Sequence, residues 1–329
     1  MNIGFSLFVV AALILIAFVG AGQAGWLTLF GAVLPYVAIL VFLGGVIGQV
    51  VRWAKCAVPF RIPTTCGQQK SLPWIRSSFW ESPHNAIGAL GRMALEILLF
   101  RSLFRNTKVS LMDRKPLQGG AKWLWLAGLT FHWSFLVIVI RHLRFFTEPV
   151  PLSINLLAVL DGLFEISIPT LYLTDVAIVL SVTYLFLRRV AIPQLRYISL
   201  PADYFPLFLI LGIAASGLFM RHFAKVDLEK VKELSLGWFT FHPVIPEGIG
   251  VIFYIHLFLV CSLLIYFPFS KLVHMGGIFF SPTRNLANNN RMRRHVNPWN
   301  YPVKVHTYEE YEDEFREKMK AAGIPVEKE

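Results

Sequence analysis

Six runs of apolar residues, near positions 3–22, 27–51, 121–140, 168–187, 204–220 and 248–270, constrain this chain more than any other feature. Crossing the hydrocarbon core of a bilayer takes about 20 consecutive apolar residues, and each run is near that length. With 55% hydrophobic and 16% charged residues over 329 positions, the composition is too apolar for an ordinary soluble domain. The expected fold class is therefore all-α: an integral membrane bundle of six transmembrane helices. The first run follows Met1 and Asn2, with no Lys or Arg to make the basic leader of a secretory signal, so it is expected to stay as a helix.

In a soluble protein a formal charge of +11 would suggest a nucleic-acid partner. Its distribution here points to membrane orientation instead, and no nucleic acid is expected. Basic residues gather on the cytoplasmic side of membrane proteins, and twelve of them lie between Arg52 and Lys122. That loop is assigned to the cytoplasm. Residues 147–167 hold Glu148, Asp161 and Glu165 but no Lys or Arg, as an outside loop should. Arg188, Arg189 and Arg196 follow the fourth run on the inside, and Lys271, Arg284, Arg291, Arg293 and Arg294 follow the sixth. The expectation is a multi-pass protein of the cytoplasmic (inner) membrane, surrounded by lipid, with both termini in the cytoplasm.

The chain divides into residues 1–51, with two spans; 52–120, the basic cytoplasmic loop; 121–279, a four-helix core; and 280–329, a polar, then strongly charged tail. Within the loop, Ser82 and Pro83 read as the N-cap and first position of a helix along the inner surface, or of a buried re-entrant segment. Its Leu90, Leu95, Leu98 and Leu99 would face lipid or protein. Outside, residues 151–169 read as a short interfacial helix over the bundle. In the tail, Tyr311, Phe315 and Met319 have helical spacing between Tyr308 and Ala322, which suggests an arm that docks a cytoplasmic partner. The stretch "GAGQAG" from Gly20 to Gly25 fits a dinucleotide-binding pattern but follows an apolar span, with Gly and Val where an acidic residue belongs. It is set aside.

Three cysteines, Cys56, Cys66 and Cys261, are too few for an iron–sulfur cluster, and no C-x-x-C-H attaches a c-type haem. They are expected to be ordinary thiols. Histidines carry the chemistry. The third run places His132 and His142 ten residues apart, and the sixth places His256 and His274 eighteen apart. An ionisable group inside lipid is costly and marks a functional site. At about 100° per residue, eighteen steps return to the same helix face, while ten miss by roughly 80°. The two helices run antiparallel, so His132 should meet His274 near the inner surface and His142 should meet His256 towards the outside. Two stacked pairs of neutral imidazoles are what two bis-histidine b-type haems need. Ten residues rise about 15 Å and eighteen about 27 Å, so tilt between the helices, or a break near Pro268, is expected to reconcile them. Arg141 and Arg144 are candidates to pair with haem propionates.

This pattern resembles the gamma-subunit (cytochrome b) family of respiratory nitrate reductase over roughly residues 121–279, with an extra helix at the N-terminus. The resemblance implies haem ligation by His132, His142, His256 and His274 and quinol oxidation beside the outer haem. The tail stretches "SPTRNLANNNRMRRHVNPWN" and "HTYEEYEDEFREKMKAAGIP" resemble the DsrM-type cytochromes b of DsrMKJOP complexes. That likeness implies menaquinone as membrane substrate, a cytoplasmic iron–sulfur partner related to heterodisulfide reductase (DsrK-like), other membrane and periplasmic subunits including a multihaem cytochrome c, and a place in sulfite or sulfate respiration. Related heterodisulfide reductase or nitrate reductase cytochromes are the alternatives within this class. A quinol releases protons, so the oxidation site is expected to draw on Arg144, Asp175, His222 and Lys225. A proton-coupled transporter would also bury histidines, but it predicts internal repeats around a midplane site, and no clear repeat is found. A structural anchor needs no histidine pairs.

Overall fold

The computed structural model describes residues 2–56, 67–112, 115–162, 170–292, 302 and 305–328, with the backbone alone between 108 and 118. Expectations for Arg61, Cys66, Arg114, Glu165, Arg293, Arg294 and His295, and for the start of the fourth run, lie outside the described residues.

In chain order the helices are α1 (Asn2–Ala17), α2 (Leu34–Ala54), α3 (Ala86–Leu99), α4 (Arg101–Arg105), α5 (Lys122–His142), α6 (Leu152–Asp161), α7 (Leu173–Ala191), α8 (Pro193–Ile198), α9 (Pro201–His222), α10 (Leu228–Phe239), α11 (Val251–Tyr266), α12 (His274–Gly277), α13 (Pro282–Asn285) and α14 (Tyr308–Ala321). One antiparallel hairpin, β1 (Thr107–Met112) with β2 (Lys115–Gly120), interrupts this all-α order just before α5. Among the described residues five segments are long and apolar enough to cross a membrane: Asn2–Gln23, Leu29–Ala54, Lys122–Phe145, Pro201–His222 and Val251–Phe269. The sixth, α7, has the length to span but carries Asp175, Arg188 and Arg189 in its end turns. It packs between α5 and α9 and completes the bundle.

At the centre lies α11, which buries Phe253, Tyr254, Ile255, Leu257, Leu259, Cys261 and Leu263 against α1, α2 and α9. A helix apolar all round belongs where neighbours cover every face. The helix directions alternate. Asn2 and Ser6 of α1 donate to the carbonyls of Ser199 and Pro201 at the start of α9, 2.9 and 3.0 Å away. At the other end, Trp238 Nε1 donates to Gly31 O at 2.8 Å and the Tyr36 hydroxyl to Trp238 O at 2.9 Å, tying α10 over the α1–α2 turn. The "GAGQAG" stretch makes that turn. A Cβ on Gly20 would lie 2.5 Å from the Phe30 ring, and Gly25 has φ +68°, so these glycines serve close packing and a tight reversal.

Two ends of the bundle are thus defined. At the cap end, residues 67–106 fold together with 281–292. Arg92 is buried and its guanidinium donates to three backbone carbonyls, Arg284 (2.7 Å), Leu286 (3.0 Å) and Glu81 (3.2 Å). Asn288 donates to Pro83 O and to the Ser82 hydroxyl. The N-cap expectation needs correction here. Asn85 caps α3, its side chain accepting from Gly88 N at 2.8 Å, because Ser82 is taken by Asn288. Leu90, Leu98 and Leu99 do point outward. At the strap end, α6 crosses the ends of α5 and α7.

The tail helix α14 begins at a capping box made by Thr307 and Glu310. Its Met319 is buried while Tyr311 stays exposed. Glu312 accepts the backbone N–H groups of Glu327 and Lys328 at 2.9 and 2.8 Å. Those donors hold its carboxyl below the usual carboxylate range.

Candidate functional site: two histidine pairs

Helix α5 supplies one histidine from its midpoint, His132, towards the cap end and one from its last turn, His142, at the strap end. His132 faces His274 at the cap end, with ring centres 5.8 Å apart and planes at 82°. His142, in the last turn of α5, and His256, in the second turn of α11, both stand at the strap end. The antiparallel pairing expected from the sequence is therefore the one the fold assembles. The route to it differs. His256 and His274 do not share a helix face, because α11 ends at Tyr266. A 3-10 turn over Phe267–Phe269 follows, Ser270 is extended, and His274 opens the separate α12. Pro268 sits at the break, where its missing N–H costs the helix a bond.

All four imidazoles use Nδ1 in the same way. His132 Nδ1 lies 2.7 Å from Gly128 O, His142 Nδ1 2.7 Å from Ile138 O, and His274 Nδ1 2.8 Å from Lys271 O. His256 Nδ1 lies 2.9 Å from the Ser216 hydroxyl, which itself lies within bonding distance of Gly212 O and Ile213 O. Carbonyls accept only, and the Ser216 proton is already committed, so each Nδ1 carries the hydrogen. Every Nε2 is then the unprotonated nitrogen, the form that binds metal, with its tautomer set by the neighbour.

The spacing of the cap-end pair fits haem. With metal–nitrogen bonds of about 2 Å on either side, two axial imidazoles have ring centres about 6 Å apart, near the 5.8 Å of the cap-end pair. Among the described residues no group of three or more His, Cys, Asp or Glu gathers to hold a bare ion. A porphyrin, which brings its own four nitrogens, needs only two.

The residues around the strap-end pair take other roles than the sequence suggested. Arg141 is buried, with Nη1 3.1 Å from Asp161 Oδ2, Nη2 2.9 Å from Asp175 Oδ1, and its guanidinium 3.6 Å over the Tyr172 ring. Its Nε has no acceptor among the described residues. Two aspartates flank the guanidinium, of which Nη2 alone makes a hydrogen bond, to Asp175, among the described residues. Asp161 also accepts from Thr174 N (3.0 Å) and the Thr174 hydroxyl (2.6 Å), and Arg221 covers the other contact on Tyr172 at 4.3 Å. Arg144 lies over Phe145 at 4.9 Å and beside His142, with no carboxylate partner among the described ion pairs. Of the four groups expected at a quinol site, Asp175 is spent on Arg141, and Lys225 is exposed on the turn after α9. His222 keeps a buried Nε2 without a hydrogen-bond partner among the described residues.

Sequence reasoning did not single out Ser216 or Phe100. Ser216 had a signal, a hydroxyl between small residues in an apolar run. Phe100, whose ring stands 4.9 Å from that of His132, had none.

The family described as nitrate reductase gamma subunit matches over residues 116–295, a range that includes all four histidines. The chain belongs to the nitrate reductase gamma subunit family. Two relatives extend the likeness across most of the length of this gamma-type subunit. The Hdr-like menaquinol oxidoreductase cytochrome b-like subunit of Archaeoglobus fulgidus is 49% identical over 278 residues, covering 82% of this chain and 83% of that protein. The protein of the same description from Archaeoglobus profundus is 44% identical over 274 residues, 81% of each. Membership in a membrane cytochrome family agrees with the five apolar spans, and the chain is a multi-pass membrane protein.

Proposed function

We propose that this chain is the di-haem cytochrome b subunit of an Hdr-like menaquinol oxidoreductase. One observation carries the reading: four imidazoles, His132 with His274 and His142 with His256, each with Nδ1 committed and Nε2 left to bind iron. Haem bound at each pair supplies one-electron transfer. The residues of the chain do the rest. His132 with His274, and His142 with His256, set the two depths. Arg144 stands free to hold a propionate at the strap end.

In this reading menaquinol binds at the strap end on the outer face of the cytoplasmic membrane, both termini lie inside, and the cap end meets a cytoplasmic iron–sulfur subunit of the heterodisulfide reductase type. The quinol gives up two protons and two electrons. Arg144 is a fixed cation and Asp175 is paired, so His222, through its unpartnered Nε2, is the group best suited to accept a proton. The electrons cross one at a time to the cap end and leave to the partner. A DsrK-like partner, a periplasmic multihaem cytochrome c and a place in sulfur respiration complete the proposal; the tail resemblance supports them. The relatives' description supports menaquinol.

Reduced-minus-oxidised spectra and haem content of the purified protein, beside His132→Ala and His142→Ala, test the core of it. Two b haems, each variant losing one, are expected; a colourless wild-type protein refutes it. Quinol-driven haem reduction in His222→Gln tests the proton acceptor, which an unchanged rate would rule out.

A further inference from the structure

Helix α3 reaches from the cap to the His132 ring, and the way it is fastened is unusual at both ends. Near its start, the buried Arg92 ties it to the carbonyls of Arg284, Leu286 and Glu81. Fourteen residues make it about 21 Å long. At its far end the last carbonyls, which the helix itself leaves unpaired, accept from two indoles of α5: Trp125 Nε1 to Leu99 O at 2.7 Å and Trp133 Nε1 to Leu98 O at 3.1 Å. The chain then reverses at Phe100 and α4 returns along α5, with the Phe104 ring 4.8 Å from that of Trp125. The elbow between α3 and α4 stands beside the part of α5 that carries His132.

The reversal residue has φ +49° and ψ +46°, the left-handed conformation in which helices usually place glycine. A phenylalanine is strained there, and its side chain must be held by what it touches. It touches His132, edge to face, with ring centres 4.9 Å apart and planes at 88°. Phe131 meets the same imidazole at 4.9 Å and 81°. Two aromatic rings and the Gly128 carbonyl thus set the imidazole plane, and His274 faces it at 5.8 Å.

We propose that Phe100 is the positioning residue of the cap-end histidine pair, and that α3 is the brace that carries it from the cytoplasmic cap into the membrane. The inference rests on the haem reading above. It adds that the orientation of His132, and hence the coordination of the cap-end haem, depends on a residue from the loop rather than on the bundle helices alone.

Phe100→Gly removes the ring while suiting the left-handed turn, so the backbone reversal is kept; Phe100→Leu and Phe100→Tyr are made beside it. Electron paramagnetic resonance of the oxidised protein reads the imidazole orientation at each haem, and carbon monoxide added to the reduced protein reports any haem with a loosened ligand. The expected result for Phe100→Gly is two haems retained, an unchanged strap-end signal, a shifted cap-end signal, and carbon monoxide bound at one haem per chain where the wild-type protein binds at none. Phe100→Tyr restores both readouts. A wild-type cap-end signal in Phe100→Gly overturns the proposal, as does joint loss of both haems in Phe100→Gly and Phe100→Leu, which would make Phe100 a general packing residue. A wild-type protein without haem would be seen before any variant is compared, and it overturns the underlying reading and the positioning role together.

Discussion

The two histidine pairs stand at opposite ends of the same bundle, and what surrounds them differs in kind. At the strap end, His142 and His256 sit on uninterrupted helices and the neighbours are ionic: Arg141 between Asp161 and Asp175, with Tyr172 stacked on the guanidinium. At the cap end, one partner follows a helix break, and the neighbours are apolar: Phe100 and Phe131 against His132, and Trp53 beside the α12 glycines. Polar groups in a low-dielectric interior stabilise only when fully partnered. An end that keeps two aspartates and two arginines near its imidazoles is equipped to handle charge, which suits the quinol oxidation proposed there. The apolar end holds its pair by shape.

If that contrast is right, removing one charge at the strap end should be the most damaging single change. Arg141→Met leaves Asp161 and Asp175 buried without their cation, and breaking a buried pair in this way costs about 3–5 kcal/mol. Thermal unfolding in detergent should fall accordingly, with the strap-end haem lost first and the cap-end haem retained. Adding Asp161→Asn and Asp175→Asn should recover most of the loss. A variant as stable as the wild-type protein would mean that the ion cluster does not hold the strap.

The matching change at the cap end is steric. Gly45 of α2 packs against the break in the following segment, and a Cβ there would lie 2.6 Å from Cβ and Cγ of the Pro268 ring. A proline ring cannot rotate away. Gly45→Ala should therefore cost about 1–3 kcal/mol, the usual range for overpacking, and disturb His274 and the cap-end signal alone. Gly44→Ala is the control, because nothing lies within 4 Å of the Cβ it would add. Equal effects of the two would show that the break is not wedged by α2.

Legibility in the sequence divides along the same line. The four histidines stand out because an ionisable side chain in an apolar run has no bland explanation, and alternating helix direction is enough to pair them. The mismatch between about 15 and about 27 Å of rise called for either helix tilt or a break near Pro268, and the structure has the break. What was hidden needed tertiary contacts. Arg141 finds Asp161 and Asp175 at sequence separations that no helical period links. Ser82 was read as the cap of α3, but its hydroxyl accepts from Asn288, about two hundred residues further along, and Asn85 caps the helix instead. Phe100 reaches His132 through an elbow whose direction no local pattern specifies. The fourth run was read as a span from its apolar length, and the packing of α7 between α5 and α9 places it in the bundle despite its charged ends.

The smallest effect expected at either end probes how finely the strap-end pair is set. Ser216 is the sole side-chain acceptor among the four Nδ1 contacts, the other three being backbone carbonyls that no substitution removes. Ser216→Ala takes away one hydrogen bond, worth about 1 kcal/mol, without opening a large cavity. The imidazole can then turn or change tautomer, so the strap-end haem should be lost to an excess of apomyoglobin roughly fivefold faster, since each 1.4 kcal/mol is tenfold. The cap-end haem, whose ligands lean on carbonyls and rings, should transfer at the wild-type rate. Equal acceleration at both ends would place the effect in the bundle as a whole, and no acceleration would show that packing by Gly217, 3.4 Å from the His256 ring for an added Cβ, already fixes that imidazole without the hydroxyl.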